Sequence, residues 1–387
     1  MFRDEGAIVK VQQARLTSVT RMPTNALFGE LQPHLVTVFG APAFLSDARF
    51  VRALQDAYPS ACLLGCSTAG EISSDGVTEE DCILTGVEFS SSQVVQASAH
   101  LDSMEDSFDA GTRIGAQLRA PGLKAIIVFA PGVAINGSAL VDGIVQRVGT
   151  EVPITGGLAG DGGAFARTWT LRSQGASTQE IVAIGLHGDA LEFAHGSFGG
   201  WKPFGPVRRI TRCEGNIVCE IDEEPALAVY QRFLGDHARD LPASGLLFPF
   251  AIVDAKGNET GPIRTILAVD REAGSLTLAG AVEVGSYLKL MHADTDRLVG
   301  GATTAAEFAR KVCPVTGTSL AVLVSCIGRK LVMGKRVGEE VAAVGRVLGK
   351  QSTLTGFYSY GEISPRALSK MCGLHNQTMT ISWLGEH

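Results

Sequence analysis

One short run concentrates reactive side chains: LLGCSTAGEI, Leu63 to Ile72. A thiol (Cys66), two hydroxyls (Ser67, Thr68) and a carboxylate (Glu71) sit among glycines. Two chemistries suit that set. A thiol or hydroxyl attacks a carbonyl when a neighbouring base activates it. Alternatively, glycines let a ligand approach the backbone closely, and small polar side chains hydrogen-bond to it. The nucleophile-elbow spacing G-x-S-x-G fails, because Thr68 and Ala69 both separate Ser67 from Gly70. We therefore read Cys66, Ser67 and Thr68 as pocket wall, with Glu71 orienting ligand or loop. The competing readings are a thiol or serine hydrolase using Cys66 or Ser67, a scaffold without a small ligand, and plain packing of small residues between sheets.

Three further stretches join the candidate set. VPITGGLAGDGGAF (152–165) is the most glycine-dense segment and offers Gly157, Gly160 and Asp161. In FYSYGEISP (357–365), strand alternation places Tyr358 and Tyr360 on one face. Tyr360 and Glu362 are assigned to the site and Phe357 to the core. His375 and Asn376 follow Cys372 at C-x-x-H spacing, which is half a metal site at most. They are counted with the ligand-binding residues. GRKLVMGKR (328–336) imitates a P-loop, but Arg336 stands where the Ser/Thr should be. No dinucleotide fingerprint, H-E-x-x-H or EF-hand pattern occurs.

These residues need elements to hold them. Apolar runs predict strands at 35–39, 61–65, 124–130 and from 319 onward, and helical spacing predicts helices at 44–59, 105–119 and 138–149. CILTGVEF and QVVQASAH read as adjacent strands split by SSS, and a hairpin is expected around Glu214–Asn216. RTWTLR reads as a strand, and further helices are expected at 223–234, 301–312 and 337–349. The fold class is α/β: two layered α/β domains with mixed, largely antiparallel sheets packed against helices. The expected bounds are an extension at 1–29 and domains at 30–212 and 213–387. No repeat appears at solenoid periods.

Composition narrows the function. The 387 residues are 45% hydrophobic and 19% charged, so the chain folds throughout. Thirty-three basic against 40 acidic residues, net −7 and without a basic block, disfavour nucleic acid. No apolar run approaches the ~20 residues of a membrane helix, and the N-terminus lacks a signal-peptide pattern, so no membrane contact and a cytoplasmic location are expected. The eight cysteines form no CxxC pair and read as reduced core residues.

Taken together, GCSTAGEI, TGGLAGDGGAF, the run from GPVRRIT to YQRFLG, TGFYSYGEISP and GLHNQTMTISW resemble the signatures of FIST N and FIST C domains, in order, from about residue 30 to 385. The resemblance implies a sensory module, not an enzyme, that binds a small ligand and reports to a signalling partner. Amino acids are the ligands suggested for the family. Free-standing bacterial members of similar length are haem proteins that sense nitric oxide and regulate a histidine kinase. That implies heme b as cofactor, a sensor histidine kinase or other signalling protein as partner, and a two-component system as setting. Iron would need an axial ligand such as histidine. GLHGDALEFAHGSFGGWKPFG (185–205) offers His187 and His195 among aromatics, with Lys202 for a propionate.

Overall fold

The computed structural model describes residues 9–365 and 371–387. The chain builds one unit three times. Unit one runs β1 (Lys10–Leu16), β2 (Leu35–Gly40), helices α1 (Pro42–Ser46) and α2 (Ala48–Ala57), β3 (Cys62–Ser67), the hairpin β4 (Glu71–Ser73) and β5 (Gly76–Thr78), then β6 (Cys82–Glu88). Unit two runs β7 (Gln93–His100), α3 (Ser107–Leu118), β8 (Leu123–Ala130), α4 (Gly137–Val148), β9 (Ile154–Leu158), the hairpin β10 (Thr170–Arg172) and β11 (Gly175–Ser177), then β12 (Glu180–His187).

Unit three opens with β13 (Leu191–Phe198) and is then interrupted by an inserted β-rich segment. The insert holds β14 (Lys202–Glu214), β15 (Ile217–Ile221), β16 (Glu224–Pro225), α5 (Ala226–Leu234), β17 (Phe250–Val253), β18 (Glu259–Arg264), β19 (Ile266–Asp270), β20 (Ser275–Leu278) and β21 (Tyr287–His292). The unit resumes with α6 (Thr295–Val312), β22 (Ser319–Cys326), α7 (Ile327–Met333), α8 (Gly338–Leu348), β23 (Ser352–Ser359), the hairpin β24 (Gly361–Pro365) and β25 (Cys372–His375), and β26 (Met379–Glu386).

Each unit supplies four strands to its own sheet and gives its hairpin to another. The sheet orders are β1-β6-β2-β3-β10-β11, β7-β12-β8-β9-β24-β25 and β13-β26-β22-β23-β4-β5. The helix-linked pairs β2/β3, β8/β9 and β22/β23 are parallel, each joined by a helical crossover. The other pairings in these sheets are antiparallel. Central strands such as β2, β22 and β26 are buried on both faces, which is why they read as unbroken apolar runs. Their inner faces share one core, in which Phe39, Phe129 and Phe357 form a triangle with ring centroids 5.0–5.4 Å apart. Their outer faces carry α1 and α2 on the first sheet, and α3, α4, α6 and α8 on the other two.

One glycine position recurs in each unit. A Cβ on Gly65, Gly156 or Gly356 would lie 2.0, 1.9 or 1.8 Å from the carbonyl oxygen of Val38, Val128 or Leu323 on the parallel neighbour. Each of these glycines also pairs with the first apolar residue of a donated hairpin: Leu171, Ile363 and Ile72 respectively. The glycine lets the strand crowd its neighbour just before the chain leaves for another sheet.

The α/β class with mixed, largely antiparallel sheets is as expected, while several details differ. The helix at 44–59 is two helices, because Asp47 ends the first and caps the second by accepting from Arg49 N. β6 and β7, expected side by side, lie in different sheets because each closes or opens a unit. Of RTWTLR only 170–172 is strand, since the preceding residues belong to the loop around Asp161. α6 begins at Thr295, capped by Asp294, six residues before the expected start. Part of the expected N-terminal extension is an edge strand, β1, while residues 1–8 lie outside the described residues. β14 runs through residue 212, and strands from both sides of that position share two of the sheets.

Candidate functional site

The two glycine-rich loops meet where β3 and β9 end. Gly160 N donates to Ser67 O at 2.8 Å, Gly162 N to Thr68 O at 3.0 Å, and the Ser67 hydroxyl to Gly160 O at 2.7 Å. Ser67 Oγ also accepts from Trp169 N. With its hydroxyl spent and no exposed surface, Ser67 ties the loops together. Cys66 is fully buried, and burial pushes its thiol well above the ordinary value, the opposite of an activated nucleophile. Gly157 lies inside β9, paired with Glu362. Gly160 packs so closely that a Cβ would meet Ala69 N at 2.6 Å.

Above this junction lies a cavity of about 620 Å³, lined among others by Thr68, Gly70, Glu79, Glu80, Asp161 and Lys330. Lys330 comes from α7. Its Nζ donates to Ala69 O at 2.7 Å and pairs with Glu79 at 2.6 Å, so one of its three donors is left for a ligand. α7 is anchored by Arg329, fully buried beside the equally buried Glu340 at 2.6 Å. Arg329 also donates to Leu298 O and Gly199 O, while Glu340 accepts from Ser325 and Tyr358.

Asp161 orients its loop. Its carboxylate accepts from Phe165, Ala166 and Arg167 N and from the Tyr360 hydroxyl. Burial pushes the Tyr360 hydroxyl's pKa up, and its oxygen also accepts from Gly163 N at 3.0 Å. Phe165 stacks on Tyr360 with centroids 4.0 Å apart. Tyr358, expected beside Tyr360, instead turns to Glu340, because β23 ends at Ser359 and the chain changes sheet there.

Glu71 and Glu362 occupy matching places. Glu71 accepts from the Thr68 hydroxyl and Asp81 N, and Glu362 accepts from the Ser359 hydroxyl and Thr378 N. Both are buried, and burial raises each to about 7 against the donated hydrogen bonds. Glu362 belongs to the β24–β25 hairpin, where His375 faces it in the register and bonds Ser364 O. Glu79 follows β5 as Asn376 follows β25. Glu80 and Gln377 come next, at φ 63° and 66°.

Asn376 and Tyr360 line a second cavity, of about 410 Å³, on the other side of the Asp161 loop. The candidate set therefore divides. Thr68, Glu71 and Asp161 border the first cavity, and Tyr360 and Asn376 the second. Cys66, Ser67, Gly157, Gly160, Glu362 and His375 line neither. Sequence reasoning missed Lys330, Glu79 and Glu80. Lys330 lay in the segment tested only as a P-loop.

His187 and His195 line neither cavity. The ring nitrogens His187 Nε2 and His195 Nδ1 are buried without a partner among the described residues, but His187 packs beside Gly185 and His195 against Phe308. Burial lowers the pKa of His195. A haem does not fit at these two histidines as the side chains stand. No cluster of three metal-ligating side chains occurs among the described residues.

The fold is that of an α/β protein of three repeated units. The FIST N domain model matches residues 34–224 and the FIST C domain model residues 226–365. The chain belongs to the FIST family, whose domains are small-ligand-binding sensors of signal transduction. The seam between the two matches falls inside the insert. An uncharacterized protein of Methanocaldococcus jannaschii is 27% identical over 172 residues, 40% of this chain and 33% of that one, so the chain spans about a third of that relative. Among solved structures, a cyanuric acid hydrolase from A. caulinodans aligns over 98% of this chain and 99% of its own at TM-score 0.38 and 10% identity. PurLQS from Thermotoga maritima aligns over 99% and 73% at TM-score 0.23 and 6% identity. No helix among the described residues is long and apolar enough to cross a membrane.

Proposed function

We propose that the cavity over the joined glycine loops takes a small zwitterion of the amino-acid class, and that the chain passes its occupancy to a separate signalling protein. The observation that carries this is the mixed charge of the wall. Lys330 keeps a donor for a carboxylate, and Glu79, which pairs with it, and Glu80 bring carboxylates to the same wall for an ammonium. The cavity volume falls within the range of small-ligand sites. This reading makes the chain a binder and not an enzyme, in keeping with the burial of Cys66 and Ser67. A thermal-shift screen of the twenty amino acids tests it. At least one should raise the melting temperature in a concentration-dependent way. No shift with any of them would overturn the proposal.

The finer reading implied by the resemblance, a haem-based nitric oxide sensor acting on a histidine kinase, needs iron to find a ligand other than His187 or His195 as placed. An absorption spectrum of protein produced with haem supplied decides it. A Soret band brings that reading back, and featureless protein removes it.

A further inference from the structure

The second cavity differs in kind from the first. Its walls are Val133 and Ile135 from the loop before α4, Leu158 from β9, Leu374 from β25, and Leu278 with Ala279 from the insert. Met104, Phe165 and Leu267, three of the large apolar side chains that remain well exposed (47, 38 and 43%), converge on it. Surface apolar residues are ordinarily scattered, and their gathering round one concavity marks a binding place. The independent observation is Asn376. It is 2% exposed, it lines the cavity, and its buried Oδ1 accepts no hydrogen bond among the described residues. That oxygen has no exposed surface as placed, so a half-turn of the amide brings it to the cavity, where a donor on a ligand would pair it. The Phe165–Tyr360 stack adds a flat aromatic surface.

We propose that this cavity is a second ligand site, for a planar, mostly apolar small molecule carrying one N–H or O–H donor, which it would give to Asn376 Oδ1 with the side-chain amide turned over to face the cavity. Such a ligand touches the three-unit core on one side and Leu267, Leu278 and Ala279 of the insert on the other. Its binding ties the insert to the core. That is a route by which occupancy changes the surface offered to a partner. It is a separate cavity from the zwitterion site, the two walls being joined through Asp161, which bonds both Tyr360 and Phe165.

Calorimetric titration with indole, and with benzothiophene as its counterpart lacking the donor, tests the proposal on the full chain. Indole should bind, about tenfold more tightly than benzothiophene. Asn376→Leu should erase that preference while keeping binding of both. Ala279→Trp, which fills the cavity, should abolish both, and Lys330→Met should change neither. Failure of indole to bind, an undiminished preference in Asn376→Leu, or undiminished binding in a folded Ala279→Trp would each overturn the proposal. A negative amino-acid screen beside a positive indole titration would remove only the zwitterion reading.

Discussion

The hairpins β4–β5 and β24–β25 share a scaffold and differ in what they present. Both begin Gly-Glu-Ile-Ser, at Gly70–Ser73 and Gly361–Ser364. Both bury a glutamate under donors from a hydroxyl and from a backbone N–H beyond the second strand. Both continue into a residue at positive φ, Glu80 or Gln377. One residue before it, the first hairpin places Glu79 against Lys330, whereas the second places Asn376 against apolar walls. One repeated backbone thus carries charged side chains at one cavity and, at the other, apolar side chains with a single polar point. The lesson is that the repeat fixes where a cavity forms, and single side chains at matching positions fix what it accepts.

The largest effects come from breaking the support peculiar to the charged side. Glu340→Ala leaves Arg329 buried without its partner, and should destabilise the fold by about 3–5 kcal/mol in urea titrations. Replacing both with apolar residues of similar volume should cost far less, because no lone charge is then stranded.

Next come the twin glutamates, the feature the two sides share. Each has a folded pKa of about 7 against an ordinary 4.5. Below the ordinary value both folded and unfolded chains hold the proton. Between the two values the folded chain holds protons that the unfolded chain has released. Stability should therefore fall as pH rises from 4.5 to 7, by roughly 3 kcal/mol per group, and level off above. Urea midpoints across that range should show a slope that Glu71→Gln or Glu362→Gln each halves. An effect of one substitution alone would break the equivalence.

A smaller effect separates the cavities. Lys330→Met should weaken binding of the amino acid found in the screen by about 10–100-fold, the worth of one charged hydrogen bond, and leave apolar probes unaffected. The smallest joins them. Tyr360→Phe removes the hydroxyl that holds Asp161, and should cost about 1 kcal/mol of stability and loosen the 159–169 loop in hydrogen exchange.

Much of the fold was legible locally. Continuous apolar runs such as SLAVLVSC could only be buried strands, and Asn136 capped its helix as a short polar side chain should. The three-unit plan was not read, although GEIS occurs twice in the sequence. The insert pushes the third unit's later strands far from β13. The second unit carries Thr170 where the others carry glutamate, so no motif recurs three times. Hairpin exchange is invisible to periodicity, because a donated strand alternates as any strand does. Glycine density marked the two loops that meet in the structure, since close backbone approach demands it. The pattern could not show that Ser67 and Asp161 spend their oxygens on the loops themselves, nor that α7 delivers Lys330 from over 250 residues away.

The central claim is that the joined glycine loops form the floor of a site that holds a zwitterion through Lys330. Calorimetric titration of the best amino acid into the wild-type chain and into Lys330→Met tests it most directly. A saturable, one-site isotherm in the wild type that weakens by at least about tenfold in the variant is the predicted result. Equal affinity in the two proteins would contradict the account.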